Sequence, residues 1–280
     1  MMHDTGRGLD RILPAVVAIA FLGSISEARA GLVINATFAG GSAPTNLAGG
    51  GNLVTIFDTA VSYWEAAFPG NDNWSVNLQF EWANLNGGQN ARFVLGTIGG
   101  SPIRIESGLI QFDNSGLTHL FADPTPTNNS EYTTYNVTSS EAPGGEINTG
   151  RYFTGATGAA ANNLDLLSLA EHEIGHALGL AVQNPQSPST LEIMPPLPFA
   201  GLEMITFGEH LPYNNAVMAN FPQPGVRYLL SAADILAEAQ ISQFFTPNLD
   251  PFVPEPDSIL LLSIGMAGLA ALSIRHSAKP

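Results

Sequence analysis

Nine residues constrain this chain more than any other stretch: His172-Glu-Ile-Gly-His-Ala-Leu-Gly-Leu180. An α-helix turns once every 3.6 residues, so His172 and His176 fall on one face, one turn apart. Two imidazoles can then point at one metal ion. Glu173 is offset by one position, and its carboxylate reaches past that ion toward a water the ion would hold. This is the arrangement of a zinc site with a general base. Paired histidines on a helix are often only solvated, but here Gly179 follows where the helix must stop and turn, which favours the metal.

A catalytic zinc ion has three protein ligands and one open position, so a third must come from elsewhere in the chain. Of the six histidines, His3 and His276 lie in the terminal segments discussed below. His119 lies upstream, among predicted strands. Only His210 lies downstream, beyond a proline-rich stretch (Pro185, Pro188, Pro195, Pro196, Pro198) that is expected to hold no regular structure. Glu192, Glu203 and Glu209 remain as oxygen alternatives.

The start of the motif resembles the metzincin clan of zinc proteases, whose compact form continues to a third histidine at what is here Val182. A long insertion before His210 is similar to the leishmanolysin-like branch of that clan. The resemblance implies a methionine turn beneath the metal, for which Met218 in Asn215-Ala-Val-Met218 is the candidate and Met194 in Glu192-Ile-Met-Pro195 the alternative. It also implies an α+β, zincin-like fold: a twisted mixed sheet, the active-site helix, and an irregular, partly helical C-terminal part. Tyr213 and Tyr228 are candidates for stabilising an oxyanion.

Both ends read as processing signals. Arg7 and Arg11 precede an apolar run over 12–23, and Ala28 and Ala30 supply small residues at the −3 and −1 positions. A secretory signal peptide over 1–30 is expected, cut by signal peptidase after Ala30. At the other end, Pro254-Glu-Pro256 precedes an uncharged apolar run of 17 residues, Ser258–Ile274, and then Arg275, His276 and Lys279. As a helix the run would extend ~26 Å, enough to cross a bilayer core. This tail, 251–280, resembles the PEP-CTERM sorting signal, which implies processing by an exosortase and a final place at the cell surface or in the extracellular matrix. Membrane contact is expected through this tail alone.

Between the signals the chain is strongly acidic. It carries 24 acidic and 9 basic residues, a formal charge of −15. From 31 to 252 the strong bases are Arg92, Arg104, Arg151 and Arg227, so nucleic acid is excluded as a partner. No cysteine is present, which rules out disulfides and a thiolate zinc site. Asp113, Asp123 and Asp165 are weak candidates for calcium, since no calcium-spaced Asp loop accompanies them.

Taken in order, 31–52 reads as a strand and a flexible loop. Residues 52–68 form an amphipathic helix with the apolar stripe Leu53, Ile56, Phe57, Ala60, Val61, Trp64 and Ala67. Strands are expected over 75–82, 91–98 and 102–112. The last of these is the candidate sheet edge that would hold an extended substrate. Residues 133–161 give little pattern. Asn162 or Asn163 is the expected cap of the metal helix, with Asp165 in its first turn and Leu178 near its end. Ser231 and Asp234 predict a capping box opening a last helix. The expected organisation is a subdomain over 31–180 and a second over 181–250. The function expected is an exported zinc endopeptidase acting on protein or peptide substrates. The alternative is an inactive surface or matrix protein that retains the fold.

Overall fold

The computed structural model of the protein describes residues 31–251 except 71, 86–87, 182–183, 185–188, 195–196 and 221. The expected signal peptide, the sorting tail beyond Pro251, and Val182 therefore lie outside the described residues. Among the described residues no helix is long and apolar enough to cross a membrane.

The protein is mixed α and β. Strand β1 (Leu32–Gly40) leads to helix α1 (Leu53–Ala67), then β2 (Trp74–Ala83), β3 (Ala91–Gly99), β4 (Arg104–Asp113) and the short β5 (Leu120–Phe121). A hairpin, β6 (Thr134–Ala142) and β7 (Gly145–Thr154), precedes β8 (Leu164–Asp165) and helix α2 (Leu166–Leu178). A second, shorter hairpin, β9 (Thr190–Glu192) and β10 (Glu203–Ile205), is followed by β11 (Arg227–Leu229) and helix α3 (Ala232–Ser242).

The main sheet has the order β1-β2-β4-β3, with β1, β2 and β4 parallel and β3 antiparallel at the edge. The candidate edge strand ending near Phe112, which the sequence could not tell from an interior one, is interior: β4 is paired on both sides, and the edge belongs to β3. Val76, Leu78, Phe80 and Trp82 alternate onto one face of β2 and are buried, as their period of two predicts. All seven apolar residues of the α1 stripe are buried beneath that face. Each large one, such as Phe57 or Trp64, contributes about 1.5–3 kcal/mol by leaving water. Asn52 caps α1, its side-chain oxygen accepting from the Thr55 amide at 2.9 Å.

Three further expectations are corrected. Asp165, not Asn162 or Asn163, caps α2: Leu164 and Asp165 are held extended against β5, so the helix begins only at Leu166. Asp165 accepts from the amide and hydroxyl of Ser168 at 3.0 and 2.8 Å. Residues 133–161, read as patternless, form the β6–β7 hairpin. Most of β6 faces solvent on both sides, which removed the apolar alternation that marks a strand. The proline-rich stretch does carry regular structure. The two short strands themselves, Thr190–Glu192 and Glu203–Ile205, contain no proline.

The three weak calcium candidates have other partners. Arg227, fully buried, reaches Asp123 at 2.6 Å and Asp165 at 2.8 Å. Asp113 accepts from the Leu85 and Ser115 amides and from the Ser115 hydroxyl. Ser231 and Asp234 form the predicted capping box on α3. The main hydrophobic core draws on residues from Leu32 to Phe244, with a small second cluster at Phe121, Tyr132 and Ala160, and α2 lies in the middle of the main one, between α1, the sheet and α3.

Candidate metal centre

Helix α2 is buried along almost its whole length, which fixes the rotation of the motif about its axis. The stripe Leu167, Ala170, Ile174 and Leu178 enters the core, and Trp64 of α1 donates its indole N–H to the Glu171 carbonyl at 2.9 Å. His172 and His176 are thereby turned toward the free edge of β3. His172 is half-buried and His176 buried.

His210 arrives from a separate loop. Phe207 and His210 exchange backbone hydrogen bonds at 2.9 and 3.3 Å across a tight turn, in which Gly208 takes φ +68°. A residue with a side chain would be strained there. Nitrogens of His172, His176 and His210 come within 4.8 Å of one another, the only such group of three metal-ligating side chains among the described residues. The group could hold a metal ion.

The hydrogen bonds of the rings give a sharper test of fit. His172 Nδ1 lies 2.7 Å from the Val217 carbonyl, and His176 Nδ1 meets the Leu180 carbonyl. A carbonyl only accepts, so both Nδ1 atoms carry the proton, and each neutral ring is left with a lone pair on Nε2. Those two Nε2 atoms stand 3.0 Å apart. Burial pushes the His176 pKa down to about 4 and that of His172 well below its usual value; His176 and His210 lower His172 further, and His210 lowers His176. At neutral pH two lone pairs face each other with no proton between them, which is unfavourable unless a cation is shared. Nitrogens on one tetrahedral ion at about 2.1 Å stand about 3.4 Å apart, so this pair is already near ligand spacing. The donor set, three neutral imidazoles, fits a divalent transition metal.

Glu173 is buried beside the pair. Burial is the main reason its pKa rises to about 8; the nearby Glu209 adds to it, and the Phe93 amide of β3 opposes it by donating to the carboxylate. Its Oε2 has no hydrogen-bond partner. The three histidines, Glu173 and Glu209 line a polar cleft of ≈ 580 Å³ whose far wall is the start of β3, Ala91 to Phe93. Of the glutamates weighed as third ligands, Glu209 borders this cleft, while Glu192 and Glu203 face each other across the β9–β10 hairpin.

Met218 is fully buried, and its sulfur sits against Gly175, inside the motif itself. A Cβ on Gly175 would overlap that sulfur. Met194 is 56% exposed and lies on the β9 side of α3. Gly179 ends the helix as expected, but for a different reason. Its backbone is extended, and a Cβ there would stand 2.8–3.0 Å from Ile241, Glu238 and Ser242 of α3, so packing space demands the glycine. His119 stays with β5, its carbonyl accepting from Leu164. Tyr228 is buried against Ser168, and Tyr213 is half-buried in the core; neither lines the cleft.

The sequence reading missed the Val217 and Leu180 carbonyls and the Phe93 amide. Backbone groups carry no residue signature, so only the fold could reveal them. No protein-family model matches the chain, and no curated protein matches it.

Proposed function

We propose that this protein is an exported zinc endopeptidase of the metzincin clan, with His172, His176 and His210 as metal ligands, Glu173 as general base and Met218 as the turn beneath the site. The observation that carries the reading is the pair of converging Nε2 lone pairs, with a third imidazole and an unpartnered carboxylate oxygen beside them. Bound there, a zinc ion supplies Lewis acidity, polarising a carbonyl oxygen and acidifying water.

The chain's own residues do the rest. Glu173 receives the proton of an attacking water at Oε2 and passes it to the leaving amine nitrogen. Its raised pKa suits a group that must both take and give a proton near neutrality, and a neighbouring cation favours its ionised form. The β3 edge pairs with no further strand among the described residues, and apart from the Phe93 amide, which donates to Glu173, it is where an extended peptide can add as a further strand. His172 and His176 keep their Nδ1 protons on the two carbonyls, so their rings stay oriented throughout. The mixed sheet with an edge strand beside the metal helix supports a zincin-like fold. The acidic composition and the two terminal signals support export and exosortase sorting.

The test is metal analysis of the purified protein together with digestion of casein, with and without a chelator. Stoichiometric zinc and chelator-sensitive cleavage are expected. Glu173→Ala should keep zinc and lose cleavage, whereas His210→Ala should lose both. Wild-type zinc content in His210→Ala would sink the third-ligand assignment. Zinc without any hydrolysis would leave the inactive matrix protein.

A further inference from the structure

Asp234 was legible in the sequence only as the partner of Ser231 in a helix cap. The structure gives its carboxylate more to do. It is fully buried and accepts four hydrogen bonds: from the Ser231 amide at 2.8 Å, the Ser231 hydroxyl at 2.6 Å, the Val217 amide at 3.2 Å and the Met218 amide at 2.9 Å. No arginine or lysine pairs with it among the described residues. The group is held by dipoles alone.

The last of these bonds matters most. The Met218 N–H and the Val217 C=O belong to one peptide group. Its N–H donates to Asp234, and its C=O accepts from His172 Nδ1 at 2.7 Å. A carboxylate drawing on the N–H of an amide makes the carbonyl of that amide a stronger acceptor. A stronger acceptor at Nδ1–H in turn makes Nε2 a better donor to a metal, as a carboxylate does when it meets a ligating histidine directly. The same two bonds fix where the Val217 carbonyl points, and so the plane of the ring.

We propose that Asp234 is a positioning residue for the metal centre, acting on His172 through the single Val217–Met218 peptide. This rests on the metal reading above. It differs from a capping role in what it predicts. A cap stabilises α3 and leaves metal affinity alone, whereas a relay to His172 changes metal affinity.

Ser231→Ala removes the capping hydroxyl and leaves the Val217 and Met218 bonds in place. Asp234→Asn keeps the shape but presents an amide to donors. Asp234→Glu keeps the charge and a capping side chain, and displaces the carboxylate by one methylene. Zn²⁺ affinity is measured by chelator competition on each purified full chain, with Co²⁺ absorption as the readout of ligand geometry and a thermal melt alongside. Asp234→Asn and Asp234→Glu are expected to bind Zn²⁺ about 10–100-fold more weakly, with a shifted Co²⁺ band, the range known for groups that orient metal ligands. Ser231→Ala should melt lower and bind Zn²⁺ like the wild type. If Asp234→Asn does not fold, Asp234→Glu decides between the same outcomes. Wild-type affinity in the Asp234 variants, or an equal loss in Ser231→Ala, overturns the relay. A wild-type chain that takes up no Zn²⁺ sinks the metal reading itself.

Discussion

At His176 and Glu173 the same burial acts on opposite charges, and each has a consequence in pH. An unfolded imidazole titrates near 6.5, whereas folded His176 holds out to about 4. Between those values the unfolded chain binds a proton that the folded one refuses, so stability of the metal-free protein falls as pH drops through that window. For Glu173 the folded value is about 8 against an ordinary 4.5. There the folded chain keeps a proton the unfolded one has lost, and stability falls as pH rises toward 8. Chemical denaturation of metal-free protein should therefore show a broad maximum between about pH 4.5 and 6.5, flattened at its acid side by His176→Leu. Zinc retention follows the imidazoles. Free histidines would release the metal in mildly acidic buffer, but His176 should keep it well below pH 6 and lose it toward pH 4, measurable by dialysis and metal analysis. At Gly175, Ala would drive a methyl into the Met218 sulfur and the Trp64 ring. A loss of about 1–3 kcal/mol by denaturant unfolding is expected, with weaker zinc uptake. An unchanged midpoint would contradict the packing of Met218.

At the scale of elements, what could be foreseen depended on whether the signal was periodic. The α1 stripe, the β2 alternation and the Ser231–Asp234 box each state their contacts in residue types, and each stands as expected. The strand ending near Phe112 could be read as edge or interior alike; which of two neighbouring strands is outermost depends on pairing order, a long-range fact. The α2 cap was misplaced because Asn162, Asn163 and Asp165 are all good caps, and only pairing of Leu164–Asp165 with β5 selects among them. Of the candidate site, two proposed ligands and the proposed base sit within one helix and were legible together. His210 could be reached only by counting histidines, and Asp234 was seen in half its role. The Arg227 cluster was read as loose calcium candidates because its three members are spread over more than a hundred residues. It also makes a prediction about α2. Arg227→Met would leave Asp123 and Asp165 buried without a counter-charge, the second of them capping the metal helix. A cost of about 3–5 kcal/mol is expected by thermal or denaturant unfolding. A small change would mean that water reaches the cluster.

Over the whole molecule, charge is divided unevenly between inside and outside. Arg104 lies between Trp74 and Phe244 and bonds the carbonyls at the end of α3. Arg151 bonds Leu230, Leu249 and Asp250, and Arg227 is internal. Arg92, at the cleft wall, is the one strong base left on the described surface. The exterior is thus almost purely acidic, which keeps anionic polymers away from the cleft. The internal arginines also impose an order in time. Any chain is made from its N-terminus, and Arg227 is among the last residues of the domain to appear. Until it does, the two carboxylates that it neutralises are expected to stay hydrated, and Leu164–Asp165, at the start of α2, to stay unpaired from β5. A chain ending at residue 226 should be open to a broad-specificity protease throughout 120–180, where the full chain resists. The motif is written early, but the residue that neutralises its helix cap arrives after His172, His176 and His210 have all been added.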